Sequence, residues 1–463
     1  MRLALILLFL MICLCIPADA RKDITSSLQA QVDKKGKITL PDGEFSISRP
    51  VKVYSDTSIE GSGKTEIVVD GSFNAFEIFD GAPEGRISRV SVSSLTVRCP
   101  SPSAVSAVFA KSVESLTVDG LKTENMAGVR VEHFEAARNN LNKNIIITNC
   151  SFSGNKAPVQ GIEIDWTDTF RIENCTVTGF LHGIQFWGGD SDVRRGGLHK
   201  NMGFLKNGII SGCRASHHEG GGIWGSMGEN IRIKNCSAED CGDVGIDFEG
   251  CTNCSAEDCA AADCKNGNYS TFQYCTGNIV FRNCRSVFSK AQTGILGTCH
   301  YFNGNETQDT DYQSVTFENC RFQSRVYSVI KPWHSLHSFT LRNCVLKNTA
   351  LDTGSKRLDI LRVEDNAFTF DEGNADLAGI YAAIDTPVSR KAPVLFVTGN
   401  TLTAKRGEIG IRLLNKSSAE VSFVCRGNDI RGFKEKQAAE NAGTGALTVY
   451  GFEGRTAGDV RTE

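Results

Sequence analysis

Proline is scarce in this chain, 10 of 463 residues, and no basic tract stands out. With a formal net charge of −3 there is no general attraction to nucleic acid, and no such partner is expected. Past the first twenty residues no stretch is apolar for the ~20 positions a membrane-spanning helix needs, so the mature chain is expected to be soluble. Tryptophan is rare too, with 4 residues, all between Trp166 and Trp333. Glycine is frequent, at 46, which fits a chain that makes many tight turns on permissive backbone.

The N-terminus has a charged start at Arg2, an apolar run from Leu3 to Ile16 and the small-residue end Ala18-Asp-Ala20. That pattern reads as a secretory signal peptide over residues 1–20, which places the protein outside the cell or in the periplasm. As a membrane anchor the run of about 14 residues is too short. Leu14 before Cys15 speaks against a lipoprotein anchor.

What is there is repetition. Asn230-Ile-Arg-Ile-Lys-Asn-Cys236-Ser-Ala-Glu-Asp-Cys241 is followed by Asn253-Cys-Ser-Ala-Glu-Asp-Cys259-Ala-Ala-Ala-Asp-Cys264, and Cys236 to Cys259 spans 23 residues, as does Cys241 to Cys264. A unit of that length cannot bury its own apolar side and must stack on copies of itself. Cys150, Cys175, Cys213, Cys236, Cys259, Cys284, Cys320 and Cys344 occupy one position of the repeat, mostly ending an Asn-Cys segment. Two longer intervals, 38 residues from Cys175 to Cys213 and 36 from Cys284 to Cys320, place insertions at about 188–206 and 300–313. Residues 24 to 33 read as a short amphipathic helix, the start of a cap over about 21–70. Residues 21–463 are expected to form one elongated, monomeric domain.

Short β-branched strands, glycine at strand starts and a period near 24 suggest three strands per coil. Together with Leu40-Pro-Asp-Gly-Glu-Phe-Ser-Ile and Ile59-Glu-Gly-Ser-Gly, this pattern resembles the right-handed parallel β-helix of the pectin-lyase-like superfamily over nearly the whole mature chain. The resemblance implies an all-β solenoid with two ladders, one of Asn side chains bonded along the stack and one of thiols in the core. Equivalent residues on neighbouring parallel strands orient their Cβ vectors poorly for disulfides, so the sixteen cysteines of the mature chain are expected to be mostly free. Cys251 and Cys254 have zinc-knuckle spacing without a second pair, and Cys251, Cys275 and Cys299 read better as another short ladder.

Chemistry is sought on the outward face. Aligning coils on the glycine that starts a strand gives Gly161-Ile-Glu-Ile-Asp-Trp166, Gly183-Ile-Gln-Phe-Trp187, Gly222-Ile-Trp224 and Gly245-Ile-Asp-Phe-Glu249. Side chains alternate along a strand, so Glu163, Asp165, Gln185, Trp187, Trp224, Asp247 and Glu249 share that face. Tryptophans among carboxylates suit the C–H face of a sugar, although a stacking ladder that merely stiffens the solenoid would look the same. Asp247 and Glu249 are the first candidates for an acid and base pair, against the alternative of two solvated acids. Asp165 and Glu163 repeat the spacing three coils away, where subsite contacts fit better, with Asp165 next in line for chemistry. Trp166, His218, His300, Lys331 and Trp333 are expected to contact substrate, and Arg194, Arg195, His199 and Tyr301 to wall the groove.

The polygalacturonase motifs of the superfamily, Asn-Thr-Asp, a paired Asp-Asp and Gly-His-Gly, are missing, as is the aspartate cluster of calcium-dependent pectate lyases. A polygalacturonan substrate is therefore not expected. With Asp247 and Glu249 as the acid and base, the expected activity is glycoside hydrolysis of another polysaccharide or oligosaccharide without a cofactor. The alternatives are a lyase or epimerase acting on a uronate glycan, for which Ca2+ would be admissible, and a glycan-binding surface β-helix without catalysis.

Overall fold

The computed structural model describes residues 21–81, 85–134, 140–189, 203–272, 275–289, 298–302, 313–332, 336–354, 358–371, 378–385 and 392–463. The expected signal peptide and most of both insertions lie outside them. Strands run from Lys22–Asp23 to Val460–Thr462, and every pairing between them is parallel, each strand bonding its counterparts one coil before and one coil after. The chain is a parallel β-helix.

The period follows from three short strands per turn. Val244–Glu249, Thr252–Glu257 and Ala260–Ala262 make one coil, and Gly267–Phe272, Thr276–Arg282 and Arg285–Phe288 make the next, in register on all three sides. Inward positions stack by kind. Ile162, Ile184, Ile223 and Ile246 line one wall, and Ile147, Ile172, Ile210 and Ile233 line another. All eight are fully buried. Aromatic rings continue this interior, with Phe281 stacked on Phe317 at 4.7 Å between centroids.

The turn before each core cysteine explains the asparagines. Asn149, Asn174, Asn235, Asn283, Asn319 and Asn343 all have φ between 51° and 55°, the left-handed region that Asn tolerates better than most side chains. Gly212, Asp258 and Asp365 substitute there with φ of 63°, 53° and 57°. Some of these side chains also bond to the preceding coil, Asn149 Nδ2 to Asp119 at 2.8 Å and Asn283 Nδ2 to Asp258 at 3.0 Å.

The register places the eight predicted cysteines in one line, because the residues after them pair in sequence from Ser151 and Thr176 to Arg321 and Val345. Fifteen of the sixteen cysteines of the mature chain are buried and free. Their S–H groups have partners: Cys236 donates to the carbonyls of Lys234 and Ile210, at 3.2 and 3.5 Å, and Cys259 to Glu257 at 3.2 Å. Burial pushes the Cys99 thiol up to about 11.

After Cys344 the line continues without cysteine. Asn366, Asn400 and Asn428 take its place in register. Asn366 Nδ2 bonds Asn400 Oδ1 at 2.9 Å, and Asn400 Nδ2 bonds Asn428 Oδ1 at 3.0 Å. Here the asparagines point inward, and the left-handed turn position has passed to Asp365, Gly399 and Gly427.

At the N-terminal end the helix Thr25–Val32 forms where expected and buries Leu28 and Val32 over the first coil. Such a cover protects a strand edge that would otherwise be open.

Candidate functional site

Two columns of outward side chains build the face that carries the predicted site. One runs Phe109, Arg130, Glu163, Gln185, Trp224, Asp247, Ser270. The other, two residues further along each strand, runs Asp165, Trp187, Ser226, Glu249, Phe272. Adjacent parallel strands lie ~4.8 Å apart, so three steps separate the Glu163–Asp165 pair from the Asp247–Glu249 pair by about 14 Å.

Asp247 is 1 % exposed, between Trp224 on the preceding coil and Ser270 on the following one. It is therefore not a solvated acid. Burial, and then the charge of Glu249, push its carboxyl well above the usual carboxylate range. Its Oδ1 has no hydrogen-bond partner. Glu249 is more open and only partly buried.

The other pair sits in a network. Glu163 lies 2.8 Å from Arg130, whose other nitrogen reaches Glu132 at 2.7 Å, and Lys111 closes on Glu132 at 2.6 Å. Burial and the nearby Asp165 outweigh Arg130 and raise Glu163 to about 7. Asp165, also raised by burial, is 3.4 Å from His133 Nδ1. Glu163 is thus paired with a cation and Asp165 with an imidazole, whereas Asp247 has no such partner among the described residues.

The tryptophans divide in the same way. Trp166 is sandwiched between His133, at 3.9 Å, and Phe204, at 4.4 Å, and is 4 % exposed. Both of its faces are taken, so it stiffens the structure and offers no platform. Trp187 and Trp224 are only partly buried, and Trp224 Nε1 donates to His182 Nδ1 at 2.7 Å.

His218 does not reach the groove as expected from its turn. It is 3 % exposed, packs against Phe180 and accepts the Phe180 N–H at 3.2 Å. Burial lowers its pKa to about 4 and keeps it neutral. Lys331 stands on the same face but is ion-paired with Asp352 at 3.0 Å. His300 and Tyr301 fall in the strand Thr298–Phe302, where their backbones pair with Ile330 and Lys331. Trp333, Arg194, Arg195 and His199 lie outside the described residues.

Sequence reasoning missed Lys111, Arg130, Glu132, His133 and His182. Gly128-Val-Arg-Val-Glu132 carries the same glycine-led alternation as Gly161-Ile-Glu-Ile-Asp165, and extending the alignment one coil back would have found Arg130 and Glu132. Among the described residues no group of three or more His, Cys, Asp or Glu is arranged to hold a metal ion, and no helix is long and apolar enough to cross a membrane.

Comparison with known proteins agrees on the fold and its hand. The family described as the right-handed β-helix region matches residues 194–307. No curated protein matches the chain. Among solved structures, the family 28 exopolygalacturonase of Yersinia enterocolitica superposes with a TM-score of 0.51 at 9% identity, covering 75% of this chain and 76% of that one. The A-module of an Azotobacter vinelandii mannuronan C-5 epimerase gives 0.48 at 16%, covering 67% and 95%. The N-terminal fragment of gene product 12 of bacteriophage phi29 gives 0.49 at 11%, covering 90% of each. At these identities the likeness is one of architecture, a right-handed parallel β-helix.

Proposed function

We propose that this protein is a polysaccharide-active enzyme, exported from the cytoplasm, and that its activity is glycoside hydrolysis by Asp247 and Glu249. The observation that carries this reading is the Asp247 carboxyl, buried, without a cation among the described residues and with an acid two residues along the same strand. A carboxyl so placed holds its proton to higher pH than an exposed one and can protonate a leaving oxygen. The more open Glu249 serves as base or nucleophile. Alternate residues of a strand are ~6.6 Å apart at Cα, and carboxyl separations reachable from there include both retaining and inverting geometries.

The surroundings favour a ligand rich in hydroxyl groups. Asp165 Oδ1, Gln185 Oε1 and Asp247 Oδ1 are buried acceptors without donors among the described residues, along successive parts of one face. Sugar hydroxyls would supply donors, and the partly open Trp187 and Trp224 would take the apolar face of the ring.

A lyase or epimerase would need a free cation or base near a uronate carboxylate. Arg130 and Lys331 are each paired with an acid, which leaves that reading to the insertion residues. Incubation with a panel of neutral and uronate glycans decides among the three. New reducing ends alone support hydrolysis, unsaturated ultraviolet-absorbing ends mean elimination, and retention without products means a binding protein.

A further inference from the structure

The triplet Gly220-Gly221-Gly222 has no role in the groove as described, yet it wraps one contact tightly. His182 Nδ1 accepts two hydrogen bonds, from Trp224 Nε1 at 2.7 Å and from the Gly221 backbone N–H at 2.8 Å. The two rings meet edge to face, with centroids 5.2 Å apart at 80°. A Cβ on Gly220 would collide with the His182 ring, and one on Gly221 with the Trp224 ring. The loop is also stitched to the strand that carries His182, through Gly220 N–H to Leu181 O at 2.6 Å and Gly183 N–H to Gly221 O at 3.0 Å.

An indole N–H and a backbone N–H can only donate. Nδ1 must therefore carry its lone pair, the ring must be the neutral Nε2–H tautomer, and an imidazolium cannot make this contact at all. We infer that His182 is a positioning residue: it holds the Trp224 indole in its place on the groove face, and loss of its acceptor, by mutation or by protonation, releases that indole. This rests on the reading of Trp224 as a sugar platform given above.

The groups around the ring set where protonation falls. Burial disfavours the imidazolium and moves His182 below its ordinary value of 6.5, while Asp243, whose turn is bonded to Gly220, works in the opposite sense. His218, the other titratable neighbour, is neutral down to about 4. Gln160, paired with His182 across the strands, carries no charge. The latch is therefore closed at neutral pH and opens on the acid side.

The test reads the indole directly. In protein labelled with 15N-tryptophan, the Trp224 N–H signal is assigned by its loss in Trp224→Phe. In the wild type it should be protected from hydrogen exchange at pH 7.5 and should shift through one titration below pH 6.5. His182→Asn keeps an acceptor near the Nδ1 position and should hold the signal protected without that titration. His182→Leu should leave it in fast exchange at every pH, and should weaken glycan binding about fivefold with kcat little changed, the scale of one lost hydrogen bond. A Trp224 signal as protected in His182→Leu as in the wild type, or a titration that persists in His182→Asn, overturns the inference. If no glycan binds the wild type, the groove reading falls while the N–H signals still decide the latch.

Discussion

The backbone N–H of Cys344 donates to the side-chain carbonyl of Asn366 at 2.8 Å, and at that contact the interior line of thiols becomes a line of amides. Asn366 then gives its own two protons to Leu341 O and Asn400 Oδ1, both at 2.9 Å. Asn366→Ala takes the side-chain partner from the Cys344 N–H and from Leu341 O, while Asn400 Oδ1 keeps the Asn366 backbone N–H, at ~1–3 kcal/mol for each group that loses its partner. A loss of at least about 2 kcal/mol is expected. Asn366→Cys, which extends the thiol line by one coil, should lose less. Denaturant unfolding of the two variants checks this, and equal midpoints would show that the amide line contributes nothing specific.

Thiol titration of the denatured, unreduced mature protein should find most of its sixteen cysteines free, since the fifteen described here are buried and unbridged. Fewer than four titratable thiols would mean that disulfides staple the solenoid.

Asp247→Asn and Glu249→Gln should each lower turnover about a hundredfold or more, the usual scale of a lost acid or base. Stability should move the other way for Asp247→Asn. The folded-state pKa of Asp247 lies well above 3.8, so the wild type loses stability as pH rises through that folded value, and the amide has no proton to lose. The thermal midpoint of Asp247→Asn at pH 8 should equal or exceed that of the wild type. Full activity in both variants would move the chemistry to Asp165 or the insertions.

Trp224→Ala and Trp187→Ala should weaken glycan binding by ~1 kcal/mol or more, for the loss of one stacking surface. Trp166→Ala should instead lower the thermal midpoint, because its ring is held between His133 and Phe204. Isothermal titration beside thermal melts separates the two roles.

His218 supplies a pH signature. Its folded pKa of about 4 lies below its ordinary 6.5, so the stability it contributes is present above pH 6.5 and is lost as pH falls from 6.5 toward 4. The full span is worth up to about 3 kcal/mol at ~1.4 kcal/mol per pH unit. His218→Asn keeps an acceptor for the Phe180 N–H without the titration, and melts across this range should decline less steeply than in the wild type.

The solenoid was legible because its signals are local and repeated. Asn before Cys marks a left-handed turn followed by a buried position, and Gly-Ile-X-Phe marks a wall, so spacing alone put Cys150 through Cys344 in one line. Beyond Cys344 residue type alone does not show that Asn366, Asn400 and Asn428 occupy the interior while the residues before them make the turn. Alternation also put Asp247 and Glu249 on one face. It could not tell the isolated Asp247 from the paired Glu163, because that difference comes from Arg130, 33 residues earlier, reached only through register. For the same reason Trp166 and Trp224 looked alike in sequence, and His133 and His182, which give them different roles, went unnoticed.

Asp247 and Glu249 leave a single strand, whereas Arg130 and Glu163 belong to different coils. Duplicating or deleting one whole coil inside such a stack renews the nearest-neighbour contacts on either side of the change. It carries the first pair along intact and separates the second whenever it falls between them. On the function proposed above, descendants of this chain can therefore grow longer or shorter grooves, and so handle chains of different length, while inheriting the same pair of acids unaltered.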